Sequence, residues 1–198
     1  MKHFILAICL LVSLAQVQAQ REKKIDGFIM ELKKVKVNPK PLQAVSYNLH
    51  ASDSFKKVMV RLRVKSLTEK PETFDPNKFF AVDEVAKKRI RPSDARYNHI
   101  LHEYLSFGFL APSEVENPMV GYDPSIKDTF SDYFMEGYTD VEHKVNVGSL
   151  DEPEKSIIYF KTQPVKSNLI DVYFVVKKQV GQLKFYYGDT VLLDAKIK

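Results

Sequence analysis

The run KKVMVRLRVKSL, residues 56–67, constrains the fold more than any other stretch of this chain. Val58, Val60, Leu62 and Val64 share one parity, and Met59, Arg61, Arg63 and Lys65 the other. Successive side chains of a strand point to opposite faces, so the pattern predicts one buried and one solvated face, as in an antiparallel sheet. Cys9 is the sole cysteine, which leaves the rest of the chain without disulfides and dependent on its hydrophobic core.

Residues 1–19 have the layout of a secretory signal peptide. Lys2 precedes an apolar run from Phe4 to Leu14, and the small residues Val17 and Ala19 follow in the cleavage pattern. The eleven apolar residues fall short of the ~20 that span a bilayer. Cleavage after Ala19 is expected, leaving 20–198 as a single domain, exported to the periplasm or the cell exterior, with no transmembrane segment. LAIC resembles a bacterial lipoprotein signal, but Ile8 stands where a small residue belongs and the apolar run continues past Cys9, which argues against lipid anchoring there. The absence of any N-x-S/T sequon fits a bacterial origin.

Strand signals dominate both ends. In FIMELKKVKVN, Phe28, Met30 and Leu32 share a parity that Val35 and Val37 leave, which predicts a bulge or a sheet switch near Lys33–Lys34. Ile157–Phe160 and Leu169–Val176 read as strands of a C-terminal meander, and Gly188–Asp189 as a two-residue hairpin turn leading into TVLLDAKI. Many short strands with turns between them predict a mainly β chain folded as a sandwich or barrel.

Residues 94–140 differ. Tyr97, Ile100, Leu101, Tyr104 and Leu105 recur at spacings of three and four, with Ser93 or Asp94 as a cap, which predicts an amphipathic helix. Asp123, Pro124 and Gly137 bracket a second one, with Ile126, Phe130, Tyr133 and Phe134 on its apolar face and Asp128, Asp132 and Glu136 four apart on the other. Residues 97–140 contain eight acids and one basic group, Lys127, a charge of −7. Of the 30 basic residues only Lys2 lies in the leader, so 29 against 25 acids give +4 for 20–198, and the remainder carries +11. Three readings compete for such an acidic lobe: a solvated face, the complement of a basic surface on its own domain or on a partner, and a divalent-cation site, which a regular helix suits less than a tightly turned loop. The segment is also rich in aromatics, which suit an interface core or a roof over the sandwich. The candidate partner-binding residues are Tyr104, Phe107, Phe109, Tyr122, Asp128, Asp132, Tyr133, Glu136 and Tyr138.

Catalytic signals are weaker. His99, His102 and Glu103 are the candidate metal ligands, but HILHE lacks the spacing and order of the zinc-protease H-E-x-x-H. There is no G-x-S-x-G, P-loop or G-x-G-x-x-G, and nothing implies a cofactor. Arg61, Arg63 and Lys65 read as a solvated strand face rather than a nucleic-acid surface.

The motifs also have a familiar order. Arg63–Thr68, the F-x-x-x-D segment Phe79–Asp83 and the late strand Tyr159–Pro164 resemble those of bacterial exported immunoglobulin-like domains of unknown function, similar in fold to a small secreted mycobacterial antigen. The resemblance covers residues 28–91 and 143–197. It departs at the long insertion and at DEPEKS, residues 151–156, where a glycine is usual. It implies an immunoglobulin-like antiparallel β-sandwich without catalysis. The expectation is therefore a mainly β sandwich with a helical insertion over 94–140, acting as a non-enzymatic protein-binding or accessory module of the bacterial cell envelope. A periplasmic module binding a small molecule or glycan is the first alternative, and a metal-dependent hydrolase the second.

Overall fold

The computed structural model describes residues 22–39, 53–98, 104–106, 109–111, 121–122, 128–146, 155–157 and 159–197. In chain order the strands are β1 (Glu22–Ile25), β2 (Phe28–Val37), β3 (Phe55–Ser66), β4 (Glu72–Phe74), β5 (Phe79–Asp83), β6 (Lys88–Ile90), β7 (Asp94–Asn98), β8 (Tyr104–Ser106), β9 (Phe109–Ala111), β10 (Gly121–Tyr122), β11 (Thr139–Val141), β12 (Val145–Asn146), β13 (Lys155–Ser156), β14 (Tyr159–Phe160), β15 (Gln163–Val165), β16 (Ser167–Lys177), β17 (Gln182–Tyr187) and β18 (Thr190–Lys196). The chain is mainly β, and no described helix reaches seven residues. None of the described helices is long and apolar enough to cross a membrane.

A six-stranded sheet runs β1-β2-β3-β16-β7-β8, and a five-stranded sheet β11-β6-β5-β17-β18. The expected alternation builds the first. Val58, Val60, Leu62 and Val64 are buried, and across the ladder Val58 meets Phe174, Val60 meets Val172 and Leu62 meets Ile170. The second sheet brings Phe79, Ala81, Leu183, Phe185 and Tyr187 into the same core. Phe174 and Phe185 meet at 5.4 Å between ring centroids, and Tyr187 stacks on Phe74 at 5.6 Å.

Turn chemistry is local. The Leu32/Lys34 register break in β2 is the bulge that the phase change predicts. Asp26 and Gly27, both at positive φ, join β1 to β2, a hairpin signal as strong as the Gly188 turn between β17 and β18. The C-terminal strands are not a simple meander, however. β16 pairs with β3 and β7, whereas β17 pairs with β5 and β18, so the turn after Lys177 carries the chain from one sheet to the other.

Among the described residues of 94–140, no helical insertion is seen. Where the first helix was expected, β7 and β8 pair antiparallel, with Tyr97 opposite Leu105 and Asn98 opposite Tyr104. β7 also pairs with β16, from Asp94–Tyr173 to Tyr97–Ile170. The ladder satisfies its backbone on both sides, and in a short segment that outweighs an i, i+3, i+4 pattern. In place of the second helix, the described residues show one 3-10 turn, Ser131–Tyr133. Asp128 there accepts from the Phe130 amide and the Ser131 hydroxyl, a local alternative to helical hydrogen bonding.

Truncating Phe174, 1% exposed, tests the shared core, with Leu67, 45% exposed, as control. By urea denaturation, Phe174→Ala is expected to lower unfolding free energy by about 3–5 kcal/mol, and Leu67→Ala by less than about 0.5 kcal/mol.

Candidate functional site

The predicted partner-binding residues fall in several elements. Tyr104 lies in β8, at the edge of the six-stranded sheet; Phe109 in β9 and Tyr122 in β10 belong to a three-stranded sheet with β14. Phe107, and the metal candidates His99, His102 and Glu103, lie outside the described residues. Among the described residues no three His, Cys, Asp or Glu side chains are grouped to hold a metal. Asp128, Asp132, Tyr133, Glu136 and Tyr138 do come together, on a segment packed across the second face of the five-stranded sheet.

That face is apolar because β5 is buried on both sides. Phe80 and Val82, opposite in parity to Phe79 and Ala81, pack with Phe130, Tyr133, Met135, Tyr138 and Tyr186. Phe80 stacks on Tyr186 at 4.8 Å and meets Phe130 edge-on at 6.2 Å. Tyr133 also closes on the β17–β18 turn, where a Cβ at Gly188 would stand 3.2 Å from its ring.

Two arginines hold the segment. β11 pairs parallel to β6, setting Asp140 beside Arg89. Arg89 donates through Nε and Nη2 to the two Asp140 oxygens at 2.7 Å each, and through Nη1 to the carbonyls of Phe130, at 3.0 Å, and Tyr133. Arg91 donates to both oxygens of Asp128 at 2.9 Å and to Glu142 at 3.0 Å. The guanidinium carbons stand 3.9 and 4.2 Å from the Phe130 ring centroid, so its π-electrons carry part of the cationic load. Burial pushes the Asp128 carboxyl upward, but hydrogen bonds from Arg91 and Ser131 and the charge of Arg91 outweigh it and hold the group below its ordinary value.

Asp128, Asp140 and Glu142 are thus counter-charges to arginines of their own domain. What the segment presents outward is Phe134, 74% exposed, flanked by the exposed Asp132 and Glu136. The helical spacing predicts a buried Phe134, and the structure does not keep it there. The 3-10 turn ends at Tyr133, and extended backbone at Phe134 turns that side chain out.

A second cluster was missed altogether. The outer face of β3, expected to be solvated, is buried at Met59 and half-covered at Arg61. Arg61 donates from Nε and Nη2 to both oxygens of Asp171, which is 0% exposed, at 2.7 Å each. Asp171 is paired with Arg96 on its other side, and Arg96 Nε donates to Asp94 Oδ2 at 2.6 Å. Two arginines and two carboxylates thus lie across three adjacent strands. Tyr173 lies beside Asp94, and the Asp94 Oδ1 and Tyr173 hydroxyl atoms are buried with no hydrogen-bond partner among the described residues. Burial, only partly offset by Arg96, raises the Asp94 carboxyl to about 6. The alternating signs Arg61–Asp171–Arg96 become visible only once the strands are aligned.

No family model, curated protein or solved structure matches the chain.

Both clusters yield tests. Between about pH 4 and 6 the folded chain binds more of the Asp94 proton than the unfolded chain does. The group therefore adds stability below pH 4 that is lost as pH rises through 6, by at most roughly 3 kcal/mol. Urea denaturation across pH 4–7 should show that component in the native protein and not in Asp94→Asn. Arg89→Gln is expected to cost on the order of 1–3 kcal/mol, since Asp140 is partly exposed, and to speed limited proteolysis within 128–142.

Proposed function

We propose that this protein is an exported, non-catalytic binding module of the bacterial cell envelope, folded as an immunoglobulin-like β-sandwich, that engages a protein partner through the 128–142 segment. The leader-like N-terminus supports export. The sandwich is supported by the core that the five- and six-stranded sheets share. The resemblance carried by Arg63–Thr68 and Phe79–Asp83 gives the immunoglobulin-like reading.

One observation carries the binding reading: a phenylalanine exposed on a segment that is otherwise anchored. Arg89 holds the carbonyls of Phe130 and Tyr133, and Tyr138 lies against Lys87 at 4.9 Å. An aromatic anchor that is already positioned loses less conformational entropy on association than a free one, the usual condition of an interface hot spot. With Asp132 and Glu136 beside it, the complementary surface is an apolar pocket rimmed by basic side chains.

The test is capture from a solubilised envelope extract, comparing native protein with Phe134→Ser on matched supports. The native protein should retain a partner that the variant recovers at least tenfold less, with the bound fraction falling as salt rises and thermal unfolding unchanged. Equal recovery by both proteins would remove Phe134 as the anchor.

A further inference from the structure

A cavity of about 120 Å³ lies where β6 and β11 of the five-stranded sheet approach the start of β3 and the end of β16. Its walls are apolar: Phe55, Ile90, Val141, Val175, Val176 and Val180. One wall is braced, because His143 meets the Phe55 ring edge-on at 6.3 Å and its Nε2 lies 3.1 Å from the Val175 carbonyl oxygen. Phe55 remains partly exposed, so solvent reaches the cavity's edge.

Charge at the cavity is one-sided. Lys88 and Lys177 both line it, and neither pairs with a carboxylate among the described residues. The lining also includes Asp83, but its Oδ1 accepts from the Val85 and Ala86 amides at 3.1 and 3.0 Å and so caps the β5–β6 turn. Two ammonium groups against one engaged carboxylate leave a net positive rim.

A dry apolar cavity of roughly 150 Å³ holds benzene, so this one accommodates a tail of about four to six carbons. We propose that it binds a small free aliphatic carboxylate, with the tail against Ile90, Val141 and Val176 and the carboxylate held by Lys88 and Lys177. A neutral tail alone would leave the lysines unused, and a bulky ring system would not fit. This site is separate from the Phe134 surface, and neither depends on the other.

The experiment is an NMR titration of the full chain, methyl-labelled at isoleucine and valine, with sodium hexanoate and, separately, hexan-1-ol. Hexanoate should shift the Ile90, Val141 and Val176 methyls saturably, with a dissociation constant on the order of a millimolar for so small a ligand. Hexan-1-ol should bind at least threefold more weakly. In the double variant Lys88→Gln, Lys177→Gln, hexanoate should fall to the level of hexan-1-ol, whose own binding stays unchanged. Ala86→Leu, which enlarges a lining side chain on an exposed turn, should weaken both ligands with the melting temperature retained. Absence of saturable shifts at these methyls with hexanoate overturns the proposal. So does undiminished hexanoate binding by the lysine double variant.

Discussion

β3 and β16 are paired without a break from Phe55 opposite Lys177 to Lys65 opposite Ser167, and both faces of that ladder depend on its register. On one face Val58, Val60 and Leu62 meet Phe174, Val172 and Ile170 inside the core. On the other, Arg61 meets Asp171, which has no access to water. A slip by one residue would exchange the faces, turning Asp171 into the core and Phe174 out of it. Most sheets specify register through one buried face. Here a charge pair on the second face reinforces it, because an uncompensated buried carboxylate is costly.

The same economy appears on the five-stranded sheet. β5 is buried on both sides, so its alternation provides two apolar surfaces: Phe79 and Ala81 toward the main core, Phe80 and Val82 toward the 128–138 segment. Arg89 and Arg91, on the neighbouring stretch of chain, neutralise Asp140, Asp128 and Glu142 and cover Phe130. An acidic segment that would repel itself is thereby drawn onto a basic part of its own domain. Asp132, Phe134 and Glu136 face outward.

Legibility in the sequence followed the range of the interactions involved. The strand over 56–67, the bulge at Lys33–Lys34 and the turn at Gly188 were readable, because each rests on the covalent geometry of a few neighbouring residues. The apolar spacing over 97–105 suits a helix, while β16, which pairs with β7 from Asp94 to Tyr97, lies some seventy residues away in sequence. The acidic character of the 128–140 segment was legible, but the arginines that answer it were not. Arg89 and Arg91 fall in a stretch that reads only as basic, and parallel pairing of β11 with β6 places them.

By itself, then, the sequence determined a mainly β chain, the core-facing side of its longest strands and the kinks and turns within them, since side-chain parity and backbone sterics act residue by residue. Tertiary structure alone decided which strands share a sheet, that Asp171 lies between Arg61 and Arg96, and that Phe134 stands in solvent while Phe130 is enclosed. Burial and charge pairing across distant segments are properties of alignment in space, and no window along the chain contains both partners.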